Sequence, residues 1–229
     1  MYLYETHCHT KTVSTCSSLT AEDIVKLYLA NGYHGVFITD HFLNGNTTIH
    51  KNFPNASYKE KIEAFSEGFR EVKELAGERL QVFFGLEYTY RGTDMLIYGW
   101  SPEQLKELEC ILSMRMSSLP DFCREAGVLA IQAHPFREAH YIDHIRLFPT
   151  AEGVEIFNSS RGELCNTLAE FYANAYGKIV IGGSDCHHID QKILSGLAFE
   201  EEIHSEQEFI TALRQGKGQI IKKENVLAK

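Results

Sequence analysis

Long apolar runs are missing from this sequence. None approaches the roughly 20 residues that a membrane-spanning helix needs, so no membrane association is expected. The opening "MYLYETHCH" has no basic segment leading into an apolar stretch. No secretory signal is therefore expected, and a cytoplasmic location is. Closely spaced cysteines are also missing. Cys8, Cys16, Cys110, Cys123, Cys165 and Cys186 form neither a compact disulfide framework nor a Cys-x-x-Cys metal pair, so reduced thiols are expected. Glycine-rich nucleotide fingerprints, internal repeats and linker-like stretches do not occur, which favours one domain over residues 1–229. Positive charge is scarce: 22 Lys and Arg face 31 Asp and Glu, a net −9. Such a chain repels a polyphosphate backbone, and its longest basic feature, "IIKKEN", reads as a solvated end. Nucleic acid is therefore disfavoured as a partner, and the oligomeric state is left open.

What is present is ordinary globular material, 44% apolar and 23% charged, with eleven histidines in informative places. Strand-like runs lie at 2–9, 35–41, 80–88, 94–100, 127–135, 153–159 and 178–187. Helical patterns lie between and after them, at 20–32, 57–76, 102–126 (broken near Pro120), 162–176 and 205–215. Thr20 and Ser205 stand as N-caps, with Glu208 completing a capping box. Seven strands alternating with helices predict parallel βα units, in an open sheet or a closed barrel. Polar residues decide between these. They fall at the C-terminal end of nearly every strand: His7 and His9, Asp40 and His41, Glu87, His134, Asn158, Asp185 and His187. A barrel brings all such ends to one mouth, whereas an open sheet gathers fewer. An α/β, TIM-like barrel with its site at the strand C-termini is the expected fold.

Side chains alternate along a strand, so His7 and His9 share a face while Cys8 points away. The same alternation pairs Asp185 with His187 and excludes Cys186. Charges and imidazoles converging in one mouth are costly without cations or partners. A thiolate-free set of histidines and carboxylates suits zinc, manganese or iron. The ligands outnumber what one ion needs, so two or three divalent ions are expected.

The motifs "HCH" at 7–9, "ITDH" at 38–41, "GLE" at 85–87, "AHP" at 133–135 and "GGSDCH" at 182–187 resemble, in order, those of the PHP (polymerase and histidinol phosphatase) family. The resemblance runs from residue 5 to about 200. It implies a distorted (β/α)7 barrel, a trinuclear metal centre and phosphoesterase chemistry. By the same resemblance, His7, His9, Glu87 and Asp185 hold one metal. Glu87 bridges to a second with His134, and His41 and His187 belong to a third. Asp94, in "TDMLIYG", stands where the family usually has a histidine, and remains a metal-ligand candidate. Ser14-Thr15 stands where the family has Ser-Asp, which implies a third site that is weak, water-rich or empty.

The implied reaction is hydrolysis of a small phosphate monoester by a metal-bridging hydroxide, with a phosphorylated metabolite such as histidinol phosphate as substrate. Arg137 and Arg161, in loops after barrel strands, are the expected phosphate contacts, with Asn158 assisting. Asp40 is expected to orient His41, and His50 and His188 to be passive. The segment 42–65 is expected to form a loop over the mouth before a helix from Tyr58. Phe53, Tyr58, Tyr88 and Tyr90 are candidates to shape a pocket there. Two other functions compete: a nuclease or phosphodiesterase, and a regulatory metal-binding module without catalysis.

Overall fold

The computed structural model describes residues 1–228. Along the chain run β1 (Tyr2–Cys8), α1 (Ala21–Ala30), β2 (Gly35–Ile38), α2 (Ile49–Asn52), α3 (Tyr58–Phe65), α4 (Glu67–Ala76), β3 (Gln81–Tyr90) and β4 (Thr93–Tyr98). Then follow α5 (Pro102–Leu105), α6 (Leu119–Glu125), β5 (Leu129–Ala133), β6 (Gly153–Asn158), α7 (Glu163–Tyr176), β7 (Ile179–Gly183), β8 (Ile193–Phe199), α8 (Glu206–Arg214) and β9 (Gln219–Glu224). The strands form one sheet in the order β7-β6-β5-β4-β3-β2-β1-β8-β9. It curls until the chain after β7 meets the end of β1. There the His9 N–H donates to the Cys186 carbonyl and the Cys186 N–H to the His7 carbonyl, each at 3.1 Å. The result is a nearly closed barrel.

All seven expected strands occur, but the expectation of uniformly parallel βα units is corrected. β4 is antiparallel to both β3 and β5. It returns from β3 through a tight turn in which Arg91 and Gly92 have φ of 50° and 79°, the left-handed pair that such hairpins need. β8 and β9 were not expected; they extend the sheet beyond β1 as antiparallel neighbours. The 57–76 helix is interrupted at Ser66, and the 102–126 region breaks well before Pro120, which sits in the first turn of α6. Thr20 and Asp23 form a capping box on α1. Ser205 caps α8, whereas the Glu208 carboxylate accepts from the His204 N–H.

Two apolar layers fix the barrel. Outside it, helices cover the sheet over a core that includes Cys8, Ile24, Tyr28, Phe42, Phe65 and Cys186. Inside, the lower half holds Tyr4, Phe37, Phe83, Tyr98 and Ile181, with Phe209 of α8 as a plug. The Phe209 ring lies 4.4 Å from Phe37 and 5.4 Å from Tyr98, centroid to centroid. With the bottom so filled, the open end at the top is the place for chemistry. Among the described residues no helix is long and apolar enough to cross a membrane.

Candidate metal centre

A register irregularity in β1 between Glu5 and Cys8 shapes the site. The Glu5 carboxylate is buried and accepts from the backbone N–H groups of Thr6, His7 and Ser184. That local pucker turns His7 and His9 into the barrel mouth and leaves Cys8 in the outer core, as alternation predicts. Gly183 makes room for the result. A Cβ there would lie 2.6 Å from both His7 Cβ and Glu155 Oε1.

The structure brings the expected ligands together. His7 Nε2 lies 3.4 Å from Glu87 Oε1 and 3.5 Å from Asp185 Oδ1. His9 Nε2 lies 3.5 Å from Glu87 Oε2 and 3.4 Å from Asp185 Oδ1. His134 Nε2 is 3.2 Å from Glu87 Oε1 and 3.8 Å from Asp94 Oδ2. Four overlapping groups have ligand atoms close enough to share an ion. They are His7/His9/Glu87, His7/His134/Asp185, Glu87/Asp94/His134 and His9/His41/His187. His134 and Asp185 hold their places with φ of 25° and 51°, a strained backbone for residues other than glycine.

Hydrogen bonds fix which nitrogen of each ring faces inward. His7 Nδ1 meets Glu155 Oε1 at 2.9 Å, so it carries the proton and Nε2 keeps the lone pair. Ser14 Oγ gives its hydrogen to Asp40 Oδ1 at 2.7 Å and therefore accepts from His9 Nδ1–H, 3.2 Å away. His187 Nδ1–H donates to the Asp185 carbonyl at 2.8 Å. In all three rings Nε2 is left for an ion. The buried atoms His7 Nε2, His9 Nε2, His41 Nδ1 and Glu87 Oε2 have no hydrogen-bond partner. His41 Nδ1 is only 2.7 Å from Glu87 Oε2, but without the alignment of a hydrogen bond. Buried polar atoms are rarely left unpaired, and these four converge. The donor set fits divalent metal ions.

Charge inside the cluster is finely opposed. Burial pushes the Glu87 carboxyl up, but His41 and His7 outweigh it and hold it well below the usual carboxylate range. Asp185 is held low in the same way, against burial, by His7, His9 and His134. Asp94 is pushed up by burial and by Glu87. Burial, then the neighbouring His187 and His41, hold His9 well below its ordinary value, as a neutral ligand requires.

Above the ligands lies a cleft of about 680 Å³ lined by Asn46, Thr89, Tyr141, Ser160, Arg137 and Arg161, among others. Arg137 Nη1 reaches Asp94 Oδ2 at 3.2 Å, and Arg161 Nη2 reaches Asp185 Oδ2 at 2.6 Å. Both guanidiniums are about a quarter exposed, at 22% and 24%. Both arginines thus border the cleft.

Asn158 does not. It is fully buried, and its amide donates to Glu155 Oε2 at 2.9 Å and Asp185 Oδ2 at 3.3 Å. The expectation of a phosphate contact is corrected to a support for Asp185. Asp40 likewise acts on His9 through Ser14, not on the His41 ring. Tyr58 and Tyr88 donate their hydroxyls to the carbonyls of Leu105 and Ile111, away from the cleft. Phe53 and Tyr90 do not line it either, and the aromatic at the mouth is Tyr141. The 42–57 loop contains the short α2, and His50 is turned to the Leu43 carbonyl. His188 lines the cleft beside Ser18, with Ser18 Oγ 2.9 Å from its Nδ1.

Two residues were missed. Glu155 is fully buried and joins His7, Asn158 and the His134 N–H (3.1 Å). A carboxylate inside the otherwise apolar run "GVEIF" was its signal. Cys16 lines the cleft next to His41 and His187; its contacts are distant in sequence, and no spacing announces them.

The PHP-associated family profile matches residues 163–217, from α7 to just beyond α8. The match lies within the C-terminal third of the chain and is in keeping with the ordered motifs around the mouth. Among solved structures the chain is similar in fold to a protein named as a metal-dependent phosphoesterase from Bifidobacterium adolescentis. That pair has a TM-score of 0.55 and 15% identity over 93% of this chain and 96% of the other. It is also similar to PsfC from Pseudomonas syringae, with a TM-score of 0.62 and 13% identity over 97% and 91%. A third similar fold is an amidohydrolase from Chromobacterium violaceum with bound sulfate and no metal, with a TM-score of 0.51 and 14% identity over 80% and 87%. No curated protein matches the sequence.

Proposed function

We propose that this chain is a metal-dependent hydrolase of phosphoric esters and that its substrate is a small phosphate monoester. The observation that carries the reading is the convergence of buried, unpartnered ligand atoms on His7, His9, His41 and Glu87. His7, His9, Glu87 and Asp185 would hold one ion, and Glu87, Asp94 and His134 a second, with zinc, manganese or iron as candidates. Close-set divalent ions lower the pKa of bound water toward about 7 and stabilise charge on attacking and leaving oxygens.

The protein's own part is orientation. Glu155 holds His7, and the Ser14–Asp40 pair holds His9. Asn158 and Arg161 hold Asp185. The Arg137 and Arg161 guanidiniums border the cleft, and their planar forks suit the peripheral oxygens of a phosphate dianion. A net charge of −9 disfavours a polynucleotide substrate, and a monoester needs only these two local cations.

The test is a panel of phosphomonoesters, phosphodiesters and single-stranded DNA with manganese-loaded protein. Turnover concentrated in the monoesters is expected. Turnover of diesters or DNA alone would refute the monoester assignment, and turnover of none would refute the enzyme.

A further inference from the structure

Helix α7 has two apolar faces, and the sheet uses only one of them. Ala169, Tyr172 and Ala173 are buried with Val154, and Phe136 and Ile156 pack against them. On the other face Leu164, Leu168, Phe171 and Ala175 follow one another at spacings of four, three and four residues. All four are exposed, Leu164 and Phe171 at 68% each. Single exposed apolar residues are ordinary, but a contiguous row of them is not. A row at this spacing is the seam by which one helix pairs with another, narrower than the stripe that covers a core.

Charge and area indicate what covers the seam. Glu163 and Glu170 are the only charged residues of α7 and lie round the helix from it, while its open flank carries Thr167 and Asn174. In a chain of net charge −9, an uncharged face is where a second copy can approach. Leu164, Leu168, Phe171 and the exposed Tyr176 together offer on the order of 400 Å² of apolar surface. At the usual apolar share of an interface core, two such faces would bury roughly 1,200 Å², enough for a specific dimer. We infer that α7 is a dimer interface, joining two copies of this chain antiparallel across the Leu164, Leu168, Phe171 and Ala175 seam. A two-fold axis between Ala169 and Glu170 sets Leu168 against Phe171 of the partner subunit, and Leu164 against the smaller Ala175 of the partner subunit. Antiparallel pairing also brings the positive end of each helix dipole to the negative end of the other. The seam starts three residues after Arg161, so the partner stands at the edge of the cleft.

Sedimentation velocity of the full-length protein, from nanomolar to high-micromolar concentration, tests this. The parent should pass from one copy to two. Phe171→Glu and Leu168→Lys should each raise the dissociation constant roughly 30-fold or more, the scale of a lost interface anchor. Both side chains are exposed, so each diluted variant should melt at the temperature of the diluted parent, read by fluorescence. Mixing the two variants should restore dimers. Each mixed pair keeps one Leu168-to-Phe171 contact and sets the introduced carboxylate against the introduced ammonium. A parent that stays monomeric throughout would overturn the inference and leave the seam to a different protein. Dimers that survive both substitutions would overturn it as well, and a mixture that stays monomeric would overturn the antiparallel alignment.

Discussion

Tyr4 and His7 stand on the same strand and face the same barrel interior, yet they belong to opposite worlds. Around Tyr4 the interior is aromatic and aliphatic, sealed by Phe209 from below. Around His7 it is a crowd of imidazoles and carboxylates. The division recurs on neighbouring strands: Phe37 below His41, Phe83 below Glu87, Ile181 below Asp185. Folding energy and chemistry are thus stacked along one axis. The apolar floor holds the strands so that their polar ends need contribute little to stability. A second cleft, of about 710 Å³ at the floor end, is lined by Glu200, Glu202, Glu208 and Phe199 but by no histidine or cysteine, so size alone does not mark the site.

Substitutions in the two halves should therefore fail differently. The largest effect is expected from His134→Ala at the mouth. Phosphomonoester turnover should fall to background while the thermal midpoint stays near that of the metal-free parent, measured by calorimetry. In the floor, Phe209→Ala should cost about 3–5 kcal/mol of stability by denaturant titration. Metal content measured at low temperature should be unchanged. A stability loss for His134→Ala comparable to that of Phe209→Ala would break the division.

A smaller effect is expected one layer behind the ligands. Ser14→Ala removes the acceptor for His9 Nδ1 and severs its link to Asp40. Metal affinity should fall roughly 10- to 100-fold, the usual cost of losing a ligand's supporting contact, as measured by competition with a chelating dye.

The two halves differed in how far they could be read from sequence. Strands β1–β7 were legible because each joins an apolar run to a polar terminus, and that polarity step also located the mouth. β8 was hidden because its run "ILSGLAF" follows the site motif without a helix between. β9 was hidden because an outer strand such as "QIIKKE" can carry lysines, which read as a solvated end. The reversal of β4 depended on the Arg91–Gly92 turn, a cue that alternation of strands and helices overrode. Ligand identities were legible because the i, i+2 rule applies along a strand. Asn158 was misplaced because its position at a strand end said nothing about depth. Cys16 and Glu155 owe their roles to contacts between distant segments.

The smallest predicted effect compares two thiols. Cys16 in metal-free protein has its pKa lowered to about 6: burial opposes the shift, but His187 and His41 favour the thiolate. Cys123 in the outer core is pushed up to about 12 by burial. The thiolate is the reactive form, so Cys16 alkylation should rise with pH and level off above about 6. Cys123 should stay inert across the neutral range. Peptide mapping after a short iodoacetamide pulse reads both, and equal labelling at pH 7 would contradict the contrast.

The central claim is that the polar mouth works only with metal in it. Turnover of a phosphomonoester and metal content should be measured on the same sample, during chelation and then stepwise return of manganese. Turnover should disappear as metal leaves and recover in proportion to metal bound. Turnover that persists in metal-free protein would contradict the account.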